Sequence, residues 1–201
     1  MKMVWVLGWA VPEDWFAPFA VRAFPDGEHT FIAAGPETLT QLEAMPACDW
    51  LVGYSLGAQV LLSAAASGLS FKRVSLLAPI FAFAKEENLG GLVARTQVRH
   101  LVRWLRRDPV AALTDFYARA GLDVPAELMP SLAMPELLWG LAHLETVRIE
   151  PMPPRAWQLW CGTADPLLDA GRLSEIVPDL RLVNGAHHPA ALLQAMAEGE
   201  R

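Results

Sequence analysis

The chain has 201 residues, of which 53% are hydrophobic and 19% charged, with a formal net charge of −6. A chain of this size fits one packed domain that buries well over half of its unfolded surface, and the apolar fraction excludes intrinsic disorder. The acidic balance argues against nucleic acid as a general partner, because neutralising phosphates takes a basic surface. No uncharged apolar run approaches the ~20 residues needed to span a bilayer, so no membrane partner is expected. Cys48 and Cys161 are the only cysteines. One pair is no disulfide framework and has no Cys-x-x-Cys spacing, which suits a reducing cytoplasm.

Residues 1–8 have the apolar look of a short signal sequence, but Pro12-Glu13-Asp14 follows without a small-residue cleavage site. Residues 3–7 therefore read as a buried strand, and the proline and two acids suit the first turn of a helix after it. Residues 30–34 read as a second strand, and Gly35-Pro36-Glu37 opens a short helix through Met45. Residues 50–53 form an apolar strand that ends in a glycine-bounded turn, residues 58–67 are small, apolar and helix-compatible, and residues 74–78 form the next buried strand. Between Pro79 and Pro154 the pattern changes. No strong strand stands out there, and helix starts are marked by Asp108-Pro109, Asp123-Val124-Pro125 and Met134-Pro135-Glu136. This predicts a helical lid at residues 80–153 inserted into a core of residues 1–79 and 154–201. The core resumes with strands at residues 157–160 and 181–183, a helix at residues 169–177 between them, and a last helix at residues 190–197. Strands alternating with helices predict an α/β fold: a mostly parallel sheet covered on both faces, with ligands at the carboxyl ends of its strands.

The residues with chemical potential fall at those ends. Gly53-Tyr54-Ser55-Leu56-Gly57 matches the Gly-x-Ser-x-Gly nucleophile elbow, whose glycines leave room for a strained strand-to-helix turn that presents the serine hydroxyl. By itself the pattern is weak, but here an apolar strand precedes it and a helix-forming segment follows. A serine hydroxyl needs a base within hydrogen-bond reach and a carboxylate to orient that base. Asp165, in Cys161-Gly162-Thr163-Ala164-Asp165-Pro166, follows a strand. So does the pair His187 and His188, in Asn184-Gly185-Ala186-His187-His188-Pro189. Asp169 is the nearest rival to Asp165 and reads better as the start of the next helix. The order Ser, Asp, His is the one expected for an elbow of this type. Two adjacent histidines with no further His/Cys cluster supply too few ligands for a metal, so none is expected. The N–H groups of Leu56 and Trp9 are candidate oxyanion donors, with a core aromatic as the alternative role for Trp9.

Together these residues resemble the α/β-hydrolase superfamily, and within it the pimeloyl-[acyl-carrier protein] methyl ester esterases of biotin synthesis. Gly8-Trp9-Ala10 resembles that family's His-Gly-Trp-Gly oxyanion loop, Gly53-Tyr54-Ser55-Leu56-Gly57 its elbow, Gly162-Thr163-Ala164-Asp165 its acid turn, and Ala186-His187-His188-Pro189 its histidine loop. The family's His-x-Pro spacing selects His187 over His188. Leu7 stands where the family has its histidine and Ala10 where it has its second glycine. The resemblance implies a serine carboxylic ester hydrolase without cofactor, acting on a carrier-linked acyl ester. The alternatives are a broad small-ester carboxylesterase and a hydrolase-fold binding protein without turnover.

Arg95, Arg99, Arg103 and Arg107 recur every four residues and share one helix face, with Arg106 beside them. In an acidic protein such a row can steer and dock an acidic acyl-carrier protein; the alternative is a solvated face. Phe81, Phe83, Trp104, Phe116 and Trp139 are candidates for an apolar acyl pocket or for packing between lid and core.

Overall fold

The computed structural model describes residues 1–45, 47–68, 71–131 and 133–200. Its strands are β1 (Lys2–Val6), β2 (Glu28–Ile32), β3 (Trp50–Tyr54), β4 (Val74–Leu77), β5 (Ala82–Ala84), β6 (Gly90–Val93), β7 (Gln158–Gly162) and β8 (Leu180–Val183). Its helices are α1 (Glu13–Ala23), α2 (Thr38–Ala44), α3 (Leu56–Ala66), α4 (Arg95–Arg107), α5 (Pro109–Ala120), α6 (Met134–Thr146), α7 (Ala170–Ile176) and α8 (Pro189–Glu198). Six strands form one parallel sheet in the order β2-β1-β3-β4-β7-β8.

Burial explains why the central strands read as continuous apolar runs. Every residue of β3 and β4 is buried, as are Met3, Val4, Trp5 and Val6 of β1, because helices cover both sheet faces. The edge strands differ. In β2 only Ile32 is buried, so Glu28, His29 and Thr30 carry no apolar signal, and the strand starts two residues before the apolar run that marks it. It is held by pairing with β1, Lys2 opposite Glu28 through Val6 opposite Ile32.

The segment between β4 and β7 departs from an all-helical reading. It contains β5 and β6, three and four residues long, which pair in parallel as a separate small sheet. Strands this short have no room for a legible alternation. They are held by partners far along the chain: Leu92 N–H donates to the Leu167 carbonyl at 3.0 Å and Asp169 N–H to the Gly90 carbonyl at 2.8 Å. The predicted helix starts at Asp108 and Met134 open α5 and α6. Asp108 caps α5 by accepting from Ala111 N–H at 3.1 Å, with Pro109 in the first turn. The start marked at Asp123-Val124-Pro125 leads only into a 3₁₀ turn, Ala126–Ser131.

The topology locates the site. From β1 the chain steps outward to β2, then returns across β1 to β3, so the loops leaving β1 and β3 diverge and open a crevice at their carboxyl ends. Gly8 and Trp9 follow β1 there, and Ser55 follows β3. The turn into α3 packs directly on the backbone of β1: a Cβ at Gly57 would lie 2.0 Å from the Val6 carbonyl oxygen. We expect Gly57→Ala to destabilise the protein by about 1–3 kcal/mol, because backbone cannot yield as a side chain does. Thermal denaturation checks this, at roughly 2–4 °C of lost midpoint per kcal/mol for a chain of this size.

Candidate active site

Ser55 sits at the junction of β3 and α3 with φ 54° and ψ −115°, a left-handed conformation that costs a non-glycine residue of order 1–3 kcal/mol. The strain is held on both sides. Ser55 N–H donates to the Leu77 carbonyl of β4 at 2.8 Å, and its own carbonyl accepts from Gln59 N–H at 3.1 Å in the first turn of α3. The result lifts the hydroxyl out of the strand toward His187, whose Nε2 lies 3.0 Å from Ser55 Oγ. His187 Nδ1 lies 2.7 Å from Asp165 Oδ2. Ser55, His187 and Asp165 retain 8%, 2% and 6% of their exposure, so the relay is nearly dry.

The carboxylate is oriented by the backbone around it. Asp165 Oδ1 accepts from Leu167 N–H at 2.8 Å and Leu168 N–H at 3.1 Å, leaving Oδ2 for the histidine. The same loop is tied to β6 through Leu167 and Asp169, so the small sheet absent from the sequence reading braces the acid turn. Tyr54, the variable residue before the serine, donates its hydroxyl to the His187 carbonyl at 2.8 Å and holds the histidine loop from below. Sequence reasoning passed over Tyr54. The one available signal was a tyrosine in a buried strand, which must find a partner for its hydroxyl.

The rivals are accounted for by other bonds. Asp169 caps α7 by accepting from Arg172 N–H at 2.9 Å. His188 accepts from Ala190 N–H at 3.2 Å through Nδ1 and meets Asp123 at 3.0 Å through Nε2, away from Ser55. Burial, and then the nearby Asp165 charge, push the Tyr54 phenol well above its ordinary range. Burial, followed by the Asp165 and Asp169 charges, pushes the Cys161 thiol up to about 12. Cys161 therefore stays protonated and offers no competing thiolate.

Leu56 N–H is the first amide of α3, and among the described residues neither it nor Trp9 N–H has an acceptor. The Gly8–Trp9 peptide runs beside the serine: a Cβ on Gly8 would lie 3.2 Å from Ser55 Cβ. The Trp9 indole is a separate matter. It is buried, donates Nε1–H to the Leu137 carbonyl at 2.8 Å, and meets Phe116 edge-on at 4.6 Å. The packing role weighed for Trp9 thus falls on its indole, while its backbone N–H stands apart from that packing, without an acceptor among the described residues.

A cleft of about 320 Å³ lies between α4, α5, α6 and β6, lined by Phe83, Leu101, Trp104, Phe116, Leu144 and Leu167 among others. Ser55 does not line it. The cleft approaches the triad from the acid side, through Pro166 and Leu167, and from the Trp9 side, through Phe116. Of the aromatics weighed for a pocket, Phe83, Trp104 and Phe116 line this cleft. Phe81 is wholly buried in the core and Trp139 stacks on His143 at 4.8 Å.

The arginine row lies on α4 as the spacing predicts, but its members differ. Arg95 pairs with Glu87, and Arg99 pairs with Glu145 at 2.6 Å. Arg103, Arg106 and Arg107 are exposed and have no ion-pair partner among the described residues. The usable positive charge is therefore at the C-terminal end of α4.

No family model and no curated protein sequence matches the chain. Solved structures do. The esterase EaEST from Exiguobacterium antarcticum superposes with a TM-score of 0.73 at 14% identity, covering 100% of this chain and 90% of that one. An alpha/beta hydrolase from Sphaerobacter thermophilus gives 0.57 at 20% identity, covering 100% and 92%. YbtT, a type II thioesterase of the yersiniabactin NRPS/PKS biosynthetic pathway, gives 0.62 at 17% identity, covering 100% and 91%. The chain has the α/β-hydrolase fold.

Proposed function

We propose that the protein is a serine hydrolase that cleaves carboxylic ester or related acyl bonds. The observation that carries this reading is the hydrogen-bonded relay Ser55, His187, Asp165, with two unengaged amides beside the serine. Ser55 Oγ attacks the acyl carbon and its proton passes to His187 Nε2. The carbonyl electron pair moves onto oxygen, where Leu56 N–H and Trp9 N–H receive it. Collapse expels the alcohol or thiol, which leaves with the proton from His187. Water then attacks the acyl-serine, gives its proton to His187, and the acid departs as Ser55 regains its hydrogen. Asp165 stabilises the imidazolium in both halves. The esterase and thioesterase folds it resembles support the class by analogy, although fold alone does not select a substrate. Hydrolysis of p-nitrophenyl butyrate tests the reading: turnover by wild type, lost in His187→Ala, is expected.

The finer reading is that the acyl group arrives on an acidic carrier protein, with pimeloyl-carrier methyl ester as the particular substrate and the cytoplasm as its compartment. It is supported by the motifs that resemble that esterase family's and by the exposed Arg103, Arg106 and Arg107 on α4, a helix that also contributes Leu101 and Trp104 to the apolar cleft. In this reading residues 80–153 act as the lid and the cleft takes the acyl arm. No helix among the described residues is long and apolar enough to cross a membrane. Reversing Arg103 and Arg107 to glutamate, which leaves the Arg95 and Arg99 ion pairs intact, should slow carrier-linked turnover about threefold or more and spare a small neutral ester. Equal effects on both substrates leave a general carboxylesterase with a solvated arginine face.

A further inference from the structure

The helices between β4 and β7 reach the loop after β1 through hydrogen bonds as well as apolar packing. Gly8 to Val11 form a turn closed by Val11 N–H donating to the Gly8 carbonyl at 3.3 Å. Its third residue, Ala10, has φ 56°. A positive φ at that position is the type II pattern, where glycine normally removes the strain. An alanine stays there only when its surroundings over-determine the turn.

Two buried bonds supply that constraint. The Tyr117 hydroxyl of α5 donates to the Ala10 carbonyl at 2.6 Å, and the Trp9 indole donates to the Leu137 carbonyl of α6 at 2.8 Å. The indole is further confined by Phe116 and by Gly140, where a Cβ would come within 2.4 Å of Trp9 Cδ1. The Gly8–Trp9 peptide, which carries Trp9 N–H and runs beside Ser55, directly precedes both anchors and belongs to the same turn, closed by the Val11 bond to the Gly8 carbonyl.

We propose that Tyr117 is a positioning residue for catalysis: by holding the Ala10 carbonyl it fixes the turn and aims Trp9 N–H at the developing oxyanion. The inference rests on the hydrolase reading and deepens it, because it makes α5 part of what completes the site. An oxyanion donor acts only if aligned before the charge develops, and deleting one costs about 10²–10³ in kcat. Loosening a donor costs less, and the ground-state carbonyl feels it least. Tyr117→Phe should therefore lower kcat on p-nitrophenyl butyrate about 10- to 100-fold while KM stays within about twofold.

The experiment measures kcat, KM and amide hydrogen exchange over residues 7–11 for wild type, Tyr117→Phe and Trp9→Phe, all well below their melting points. The expected result is a kcat loss in both variants with unchanged KM and faster exchange at Val11, whose N–H bond to the Gly8 carbonyl closes the turn. Trp9→Phe keeps the backbone donor but removes the second anchor, so it tests the same turn if Tyr117→Phe does not fold. An active wild type matched in kcat by Tyr117→Phe overturns the inference alone, as does a kcat loss without faster exchange. A wild type that turns over no acyl substrate overturns the hydrolase reading and this inference with it.

Discussion

Ser55→Ala is expected to lower kcat for ester hydrolysis by about 10⁴–10⁶-fold while leaving the melting point within a few degrees of wild type. The two halves of that expectation have separate causes. On the hydrolase reading the hydroxyl supplies the bond that forms with the acyl carbon, and the Cys161 thiol, held protonated by its burial, offers no thiolate in its place. The backbone strain, by contrast, belongs to φ 54° and is shared by alanine, so the substitution neither relieves it nor breaks the Leu77 and Gln59 bonds that hold the turn. Steady-state kinetics and a thermal melt on the same preparation check both. A large loss of activity accompanied by unfolding would point to a structural serine.

Asp165→Asn should cost about 10³–10⁴-fold in kcat through the wrong tautomer of the histidine, not through a displaced side chain. Leu167 N–H and Leu168 N–H both donate to Oδ1, so an asparagine keeps its oxygen there and turns its amide nitrogen toward His187. That nitrogen donates to Nδ1, which leaves the histidine proton on Nε2. An Nε2 that carries a proton cannot accept one from Ser55. Kinetics with a crystal structure of the variant check the argument, the expected result being a triad in place with activity lost. Near-normal turnover would show that another group orients the base.

The sequence signals that succeeded are those generated locally. A fully buried parallel strand must be apolar throughout, so β1, β3 and β4 stand out from their residues alone. The elbow is legible because Gly57 has no alternative against the Val6 carbonyl. The acid turn and histidine loop stand out as polar residues directly after strands, the first after the largely buried β7 and the second after β8, none of whose residues is buried. What stayed hidden depends on partners distant in the chain. The polar start of β2 is a strand only because β1 pairs with it, and β5 and β6 exist through each other and the Asp165 loop. Tyr54 and Tyr117 act on residues 133 and 107 positions away, and nothing in their own neighbourhoods announces it. The arginine row is legible as one helix face from its spacing. Its division into paired and free members requires Glu87 and Glu145, which lie outside that helix.

The most direct test of the hydrolase reading is covalent: the folded protein is incubated with a fluorophosphonate probe and the modified peptide is mapped by mass spectrometry. The account predicts stoichiometric labelling at Ser55, abolished in Ser55→Ala and strongly slowed in His187→Ala. Absence of labelling in folded wild type, or labelling at another residue, would contradict it.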